Sequence, residues 1–237
     1  MNIIIKYEDL VIIESSSIKM TSFSNSFGKE FILENILFLS KEIDWDTFYM
    51  QIIRFTIEII DSDGDKEVVY NFTFRIEDSV LTEDKIVLIG IPIIDYNGDN
   101  YNQYIIDILM LWSKNIQADF LNLDEDLKKA YNSCCRIWNK SNLIINTYNE
   151  IDLNRVKSDI DFYNLMADTL LGTKGYIGHD SYTFEDRLER ILLNIEDNVI
   201  ISLLNYENLK LNINTNDWPY IDKAFRKKYN KIMFIMN

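Results

Sequence analysis

Apolar positions follow a strand-like pattern in the first hundred residues of this chain and a helix-like one after that. The runs FYMQIIRFTIEII (48–60) and KEVVYNFTFRIE (66–77) are rich in aromatic and β-branched residues. They predict a strand pair joined across DSDGD, with Asp63-Gly64 at the turn because glycine accepts the positive φ a tight turn needs. A further strand is predicted at KIVLIGIPII (85–94), ending at Asn97-Gly98, a second turn signal.

From residue 101 the repeat lengthens. Tyr104, Ile105, Ile108, Leu109, Trp112 and Ile116 share one helical face, and Leu127, Tyr131, Cys134 and Trp138 share another within 123–140. SNLIINTY (141–148) predicts a strand. In the helix predicted over 158–172, Ser158 and Asp161 are spaced as a capping box and Gly172 is placed as the stop. Phe184, Leu188, Ile191, Leu192 and Ile195 then form one continuous stripe on the next helix. Beyond it come a strand (198–205), a short helical turn (206–211), a helix opened by Asn216 or Asp217 with Pro219 in its first turn, and a final strand (231–236). Strands separated by helices imply a mainly parallel three-stranded sheet covered by helices. The expected fold is α+β overall: a β-rich α+β domain at 1–140, with 123–140 as a connecting helix, and an α/β domain at 141–237.

Composition sharpens this picture. With 237 residues, 47% of them hydrophobic, the chain can fill real cores, and only 7 Gly and 2 Pro exclude long flexible linkers. The net charge of −14 disfavours direct nucleic-acid binding, which rests on Lys and Arg, and favours steering of a basic protein partner. Residues 1–141 carry 13 basic and 24 acidic side chains, against 11 and 14 in 142–237. Cys134 and Cys135 are adjacent, so a bridge between them would be strained, and the absence of a disulfide framework points to the reducing cytosol. The first residues acquire Lys6, Glu8 and Asp9 before a signal-peptide core could form, and no apolar run reaches the roughly 18 residues of a span. The expected localisation is cytoplasmic, with no membrane partner.

Candidate chemistry is sparse. A single histidine, His179, excludes paired-histidine acid–base catalysis and a histidine-rich zinc site. Gly64 is fourth counting from Asp61, where an EF-hand loop needs its glycine sixth. No Gly-rich phosphate loop, GxSxG elbow or HExxH is present. The expectation is a non-enzyme without metal or cofactor, although composition leaves a carboxylate site for magnesium open.

The densest candidate region is GYIGHDSYTFEDRLERIL (175–192), two glycines, the histidine and several carboxylates at the mouth of a helix. With its element order and the terminal strand KIMFIMN, the segment 141–237 resembles the barstar family, intracellular inhibitors that plug ribonuclease active sites. The resemblance implies a partner-binding face in which Tyr176 matches an aromatic, Gly178 the turn glycine and Asp186 the acidic residue that enters the partner's catalytic site. Tyr182 stands where the family commonly has an acidic residue and Glu185 where it often has Trp, and the last long helix, KAFRKKYN, is basic. With the apolar stripe inward, Glu185, Asp186 and Glu189 fall on the flanks or outer face, and Asp180 sits at the helix start, placed for capping or for partner contact. His179 and Tyr182 complete the candidate contact set. The implied function is that of a bacterial immunity protein blocking a secreted or contact-delivered basic ribonuclease toxin. The alternatives are an interaction adaptor that binds through its acidic N-terminal domain and a magnesium-dependent enzyme.

Overall fold

The computed structural model describes residues 1–22, 29–41, 49–60, 66–82, 85–93, 102–114, 116, 119–138 and 145–237. The chain folds as two compact units, Met1–Ile116 and Gln117–Asn237. Together they make an α+β protein.

The first unit is a closed antiparallel barrel of six strands: β1 (Asn2–Tyr7), β2 (Leu10–Ser22), β3 (Lys29–Leu39), β4 (Ile52–Ile60), β5 (Lys66–Leu81) and β6 (Lys85–Ile93). Their order around the wall is β1-β2-β3-β6-β5-β4, closed by β4 pairing with β1. Two-residue alternation sends Ile53, Phe55 and Ile57 of β4, and Phe72, Phe74 and Ile76 of β5, into the barrel. There the rings of Phe55 and Phe72 stack at 4.5 Å, and Phe31 meets Phe74 edge-on at 4.5 Å. The predicted β4–β5 pair is present, while its turn at 61–65 and the Asn97-Gly98 turn lie outside the described residues.

Closing six strands requires local kinks. One is a register shift in β5 between Ile76 and Asp78, opposite Gly90. A Cβ on Gly90 would lie 2.0 Å from the Arg75 carbonyl oxygen, so only glycine fits. Another device is the β1–β2 turn, where Glu8 and Asp9 both take positive φ (47° and 68°), as in a type I′ hairpin. α1 (Gln103–Ser113) belongs to this unit, tied to β2 by Gln103, whose Oε1 accepts from the Met20 N–H at 2.9 Å. Its buried face is Ile105, Ile106, Ile108, Leu109 and Trp112. Tyr104 and Ile116, expected on that face, are exposed, since Tyr104 lies in the first turn and the helix ends three residues before Ile116.

The second unit begins before the expected division at 140/141. α2 (Glu125–Trp138) packs on α3 (Asp159–Leu171), and Lys128 Nζ reaches Asp161 Oδ1 at 2.7 Å, with the two side chains only 12% and 1% exposed. The sheet has the order β7 (Tyr148–Asp152), β8 (Val199–Leu204), β9 (Ile232–Met236), and both pairings are parallel. β7 starts where the sequence places its end. Residues 145–147 are not strand, and 141–144 lie outside the described residues. Asn149 is buried in β7 because its side chain is satisfied locally, donating to the Asn146 carbonyl at 2.7 Å and accepting from its N–H at 3.1 Å. α4 (Ser181–Leu193), α5 (Tyr206–Asn212) and α6 (Trp218–Arg226) complete the unit around a core where Phe162, Phe184 and Phe225 meet ring to ring.

Ser158 caps α3 by accepting from the Asp161 N–H. The capping box is not reciprocal: Asp161 turns its carboxylate to the Lys157 N–H and to Lys128 instead. Gly172 ends the helix at φ 80°.

Candidate functional site

The mouth of α4 is held from below. Gly178 has φ 140°, and a Cβ there would lie 2.7 Å from the Phe184 nitrogen, so the loop passes against the first turn of the helix with room only for glycine. Its carbonyl accepts from Asn132 Nδ2 of α2 at 3.2 Å, and the same amide group donates to Asn164 Oδ1 at 3.0 Å. Asp180 is the N-cap. Its Oδ1 accepts the Thr183 N–H at 2.7 Å and the Thr183 hydroxyl at 2.8 Å. Burial opposes ionisation of Asp180, but the bonds from Thr183 and the adjacent His179 outweigh it and hold the carboxyl below its ordinary range. At the next position, the Ser181 hydroxyl donates to Asp217 at the start of α6.

Tyr176, expected in the contact face, is 4% exposed. Its phenol oxygen lies 2.7 Å from His179 Nδ1, and Arg187 sits over its ring at 4.5 Å. His179 Nε2 lies 3.2 Å from Asp180 Oδ2. When the phenol donates, Nδ1 accepts, and the remaining ring proton sits on Nε2 facing Asp180. The chain Tyr176–His179–Asp180 has the connectivity of a proton relay. Burial nevertheless pushes the Tyr176 phenol up against the opposing pull of Arg187 and Arg136, so it is a hydrogen-bond donor and not an activated nucleophile. Burial also raises the Cys134 and Cys135 thiols, which keeps both as packing groups.

The acidic residues of α4 divide. Glu185 is bridged to Lys223 at 3.3 Å and Glu189 to Lys227 at 2.8 Å, both across to the α6 side, while Asp186 pairs with Arg190 on its own helix at 3.1 Å. The basic tract of the last long helix therefore answers two of the carboxylates expected to face a partner. Tyr182 is 80% exposed. His179, Asp180, Tyr182 and Asp186 remain as the accessible part of the expected set; Tyr176 and Gly178 support it from beneath.

α2 contributes groups the sequence reading did not single out. Glu125, Lys129, Asn132, Ser133 and Arg136 line a cleft of about 500 Å³, which Ser158, Asp159, Ile160 and His179 close. The spacing of these α2 residues, i, i+4, i+7, i+8 and i+11, is that of a helix face, and it was legible as a polar stripe opposite Tyr131 and Cys134. Among the described residues no cluster of three or more His, Cys, Asp or Glu could hold a metal ion, and no helix is long and apolar enough to cross a membrane. No protein-family model, curated protein or solved structure gives a significant match to the chain.

Proposed function

We propose that the chain is a non-catalytic inhibitor, an immunity protein that occludes the active site of a basic ribonuclease toxin with the mouth of α4. The observation that carries the proposal is Tyr182, 80% exposed, beside the N-cap Asp180 and one turn before Asp186 on a backbone fixed by Gly178 and Asn132. An aromatic ring and carboxylates presented rigidly lose little freedom on binding, which is the property of an interface anchor. From β7 on, the second unit runs strand, two α-helices, strand, two α-helices, strand around a parallel sheet, an order that supports a barstar-like reading. The carboxylates stand in for the RNA phosphates that a basic nuclease cleft holds. Glu185 and Glu189 are held across to α6, whereas Asp186 pairs with the exposed Arg190 of its own helix, a pair that a partner's cations can replace. The decoy set therefore narrows to Asp186 and the cap Asp180, with His179 and Tyr182 as flanking contacts.

The test is an RNA-cleavage assay with a panel of small, basic ribonuclease toxin domains. Adding the full chain should abolish cleavage by a member of the panel at near-stoichiometric ratio, and the chain alone, with or without magnesium, should leave RNA intact. Cleavage by the chain itself, or a panel in which no nuclease is inhibited, contradicts the proposal.

A further inference from the structure

We propose that the outer wall of the barrel, where β1, β4 and β5 run side by side, binds a phosphate group. In the β1–β4 ladder Lys6 stands directly opposite Arg54, and Arg54 in turn stands opposite Thr73 of β5. Like charges facing each other across a ladder are destabilising. Residues 1–116 hold only 9 basic side chains against 20 acidic ones, so carboxylate partners abound, yet neither Lys6 nor Arg54 has an ion pair among the described residues. A locally unfavourable juxtaposition with no ion pair to offset it points to a functional position.

The surroundings suit an oxyanion. Lys6 and Arg54 line a groove of about 390 Å³ with Thr56, Asn71 and Thr73, whose hydroxyls and amide can donate from two neighbouring strands. The Thr73 hydroxyl is held only by a long 3.4 Å bond to the Ile93 carbonyl. A guanidinium, an ammonium and these neutral donors offer more contacts than the two oxygens of a carboxylate use, and they match the three or four of a phosphate. Glu8 and Asp9, on the β1–β2 turn, line the same groove. They leave the groove near neutral overall, so it suits one small phosphate, free or as a monoester, held by direct contacts to Arg54 and Lys6, and not a polyanion drawn in by net positive charge. The site does not depend on the inhibitor proposal, because its residues all belong to the barrel.

The experiment is an amide-resolved NMR titration of the full chain at low ionic strength with inorganic phosphate, glycerol phosphate and acetate. Expected are saturable shifts at Lys6, Arg54 and Thr73 with either phosphate, the tighter of the two identifying the free or esterified form, and at least about tenfold weaker binding of acetate. Arg54→Gln and Lys6→Gln should each weaken phosphate binding roughly tenfold, the loss of one charge-assisted contact, while Lys210→Gln on α5, with the same charge change, should not. In phosphate-free buffer Arg54→Gln should keep or raise the thermal midpoint, since it removes the facing like charge. Shifts that never saturate, an Arg54→Gln titration identical to the parent's, or a lowered midpoint in that variant would overturn the assignment.

Discussion

The Tyr176 phenol and the His179 imidazole are joined at 2.7 Å, one ring buried and the other exposed at the mouth of α4. The aromatic that family resemblance assigns to partner contact thus acts through its neighbour, fixing the imidazole from below. Tyr176→Phe keeps the buried ring and removes only that bond. Unfolding in urea should show a loss of about 1 kcal/mol, and the His179 ring resonances should broaden or shift. Tyr176→Ala should cost several-fold more, because it empties a buried ring site.

Gly178 is the position least able to change. Gly178→Ala places a Cβ against the Phe184 nitrogen at φ 140°, and both clash and strain act on backbone. A loss of about 2 kcal/mol or more is expected, read as a lower urea midpoint at unchanged slope.

Asp180 makes stability pH-dependent. Its folded-state carboxyl lies below the ordinary value, so its contribution is present above that value, near 3.9, and is lost as pH falls through the lower folded one. Asn is an equally good cap and does not titrate. Asp180→Asn should therefore match the parent near neutrality and flatten the fall in stability below about pH 4, as followed by thermal midpoints across that range.

Lys128 and Asp161 decide where the second unit begins. A fragment starting at Gln117 keeps α2 and its buried bridge to α3, whereas one starting at Ser141 leaves the Asp161 carboxylate buried without its cation. The longer fragment should unfold cooperatively and the shorter should lose about 3 to 5 kcal/mol or fail to fold, measured by circular dichroism. In the full chain, Lys128→Met should reproduce a loss of that order.

Much of the second unit was legible because α4 is one-sided and the ends of α3 carry clear capping residues. Phe184, Leu188 and Leu192 are buried as their spacing required, and Ser158 and Gly172 bound α3 as their residue types predict. The start of β7 was not legible, since burying Asn149 depends on the side-chain bonds to Asn146 that periodicity does not encode. Closure of the barrel was hidden for a similar reason. Alternation in β4 and β5 tells which residues face inward, but not that β4 returns to pair with β1, and the β1–β2 turn uses Glu8 and Asp9 where a glycine would have announced it. At the candidate site, residue types located the mouth of α4, whereas only coordinates place Lys223 and Lys227 against Glu185 and Glu189 and Tyr176 beneath the surface.

The most direct measurement is the dissociation constant between the full chain and a basic ribonuclease toxin domain that it inhibits, taken for the parent and for Tyr182→Ala with Asp186→Lys. Both side chains are exposed, and the ion pair lost, Asp186 with Arg190, is a surface pair, so the fold should be retained by circular dichroism. Loss of an aromatic anchor of about 2 kcal/mol, together with a reversed charge facing a basic cleft, predicts weakening of at least about a hundredfold. An unchanged constant in the double variant would contradict the account and move the contact away from α4.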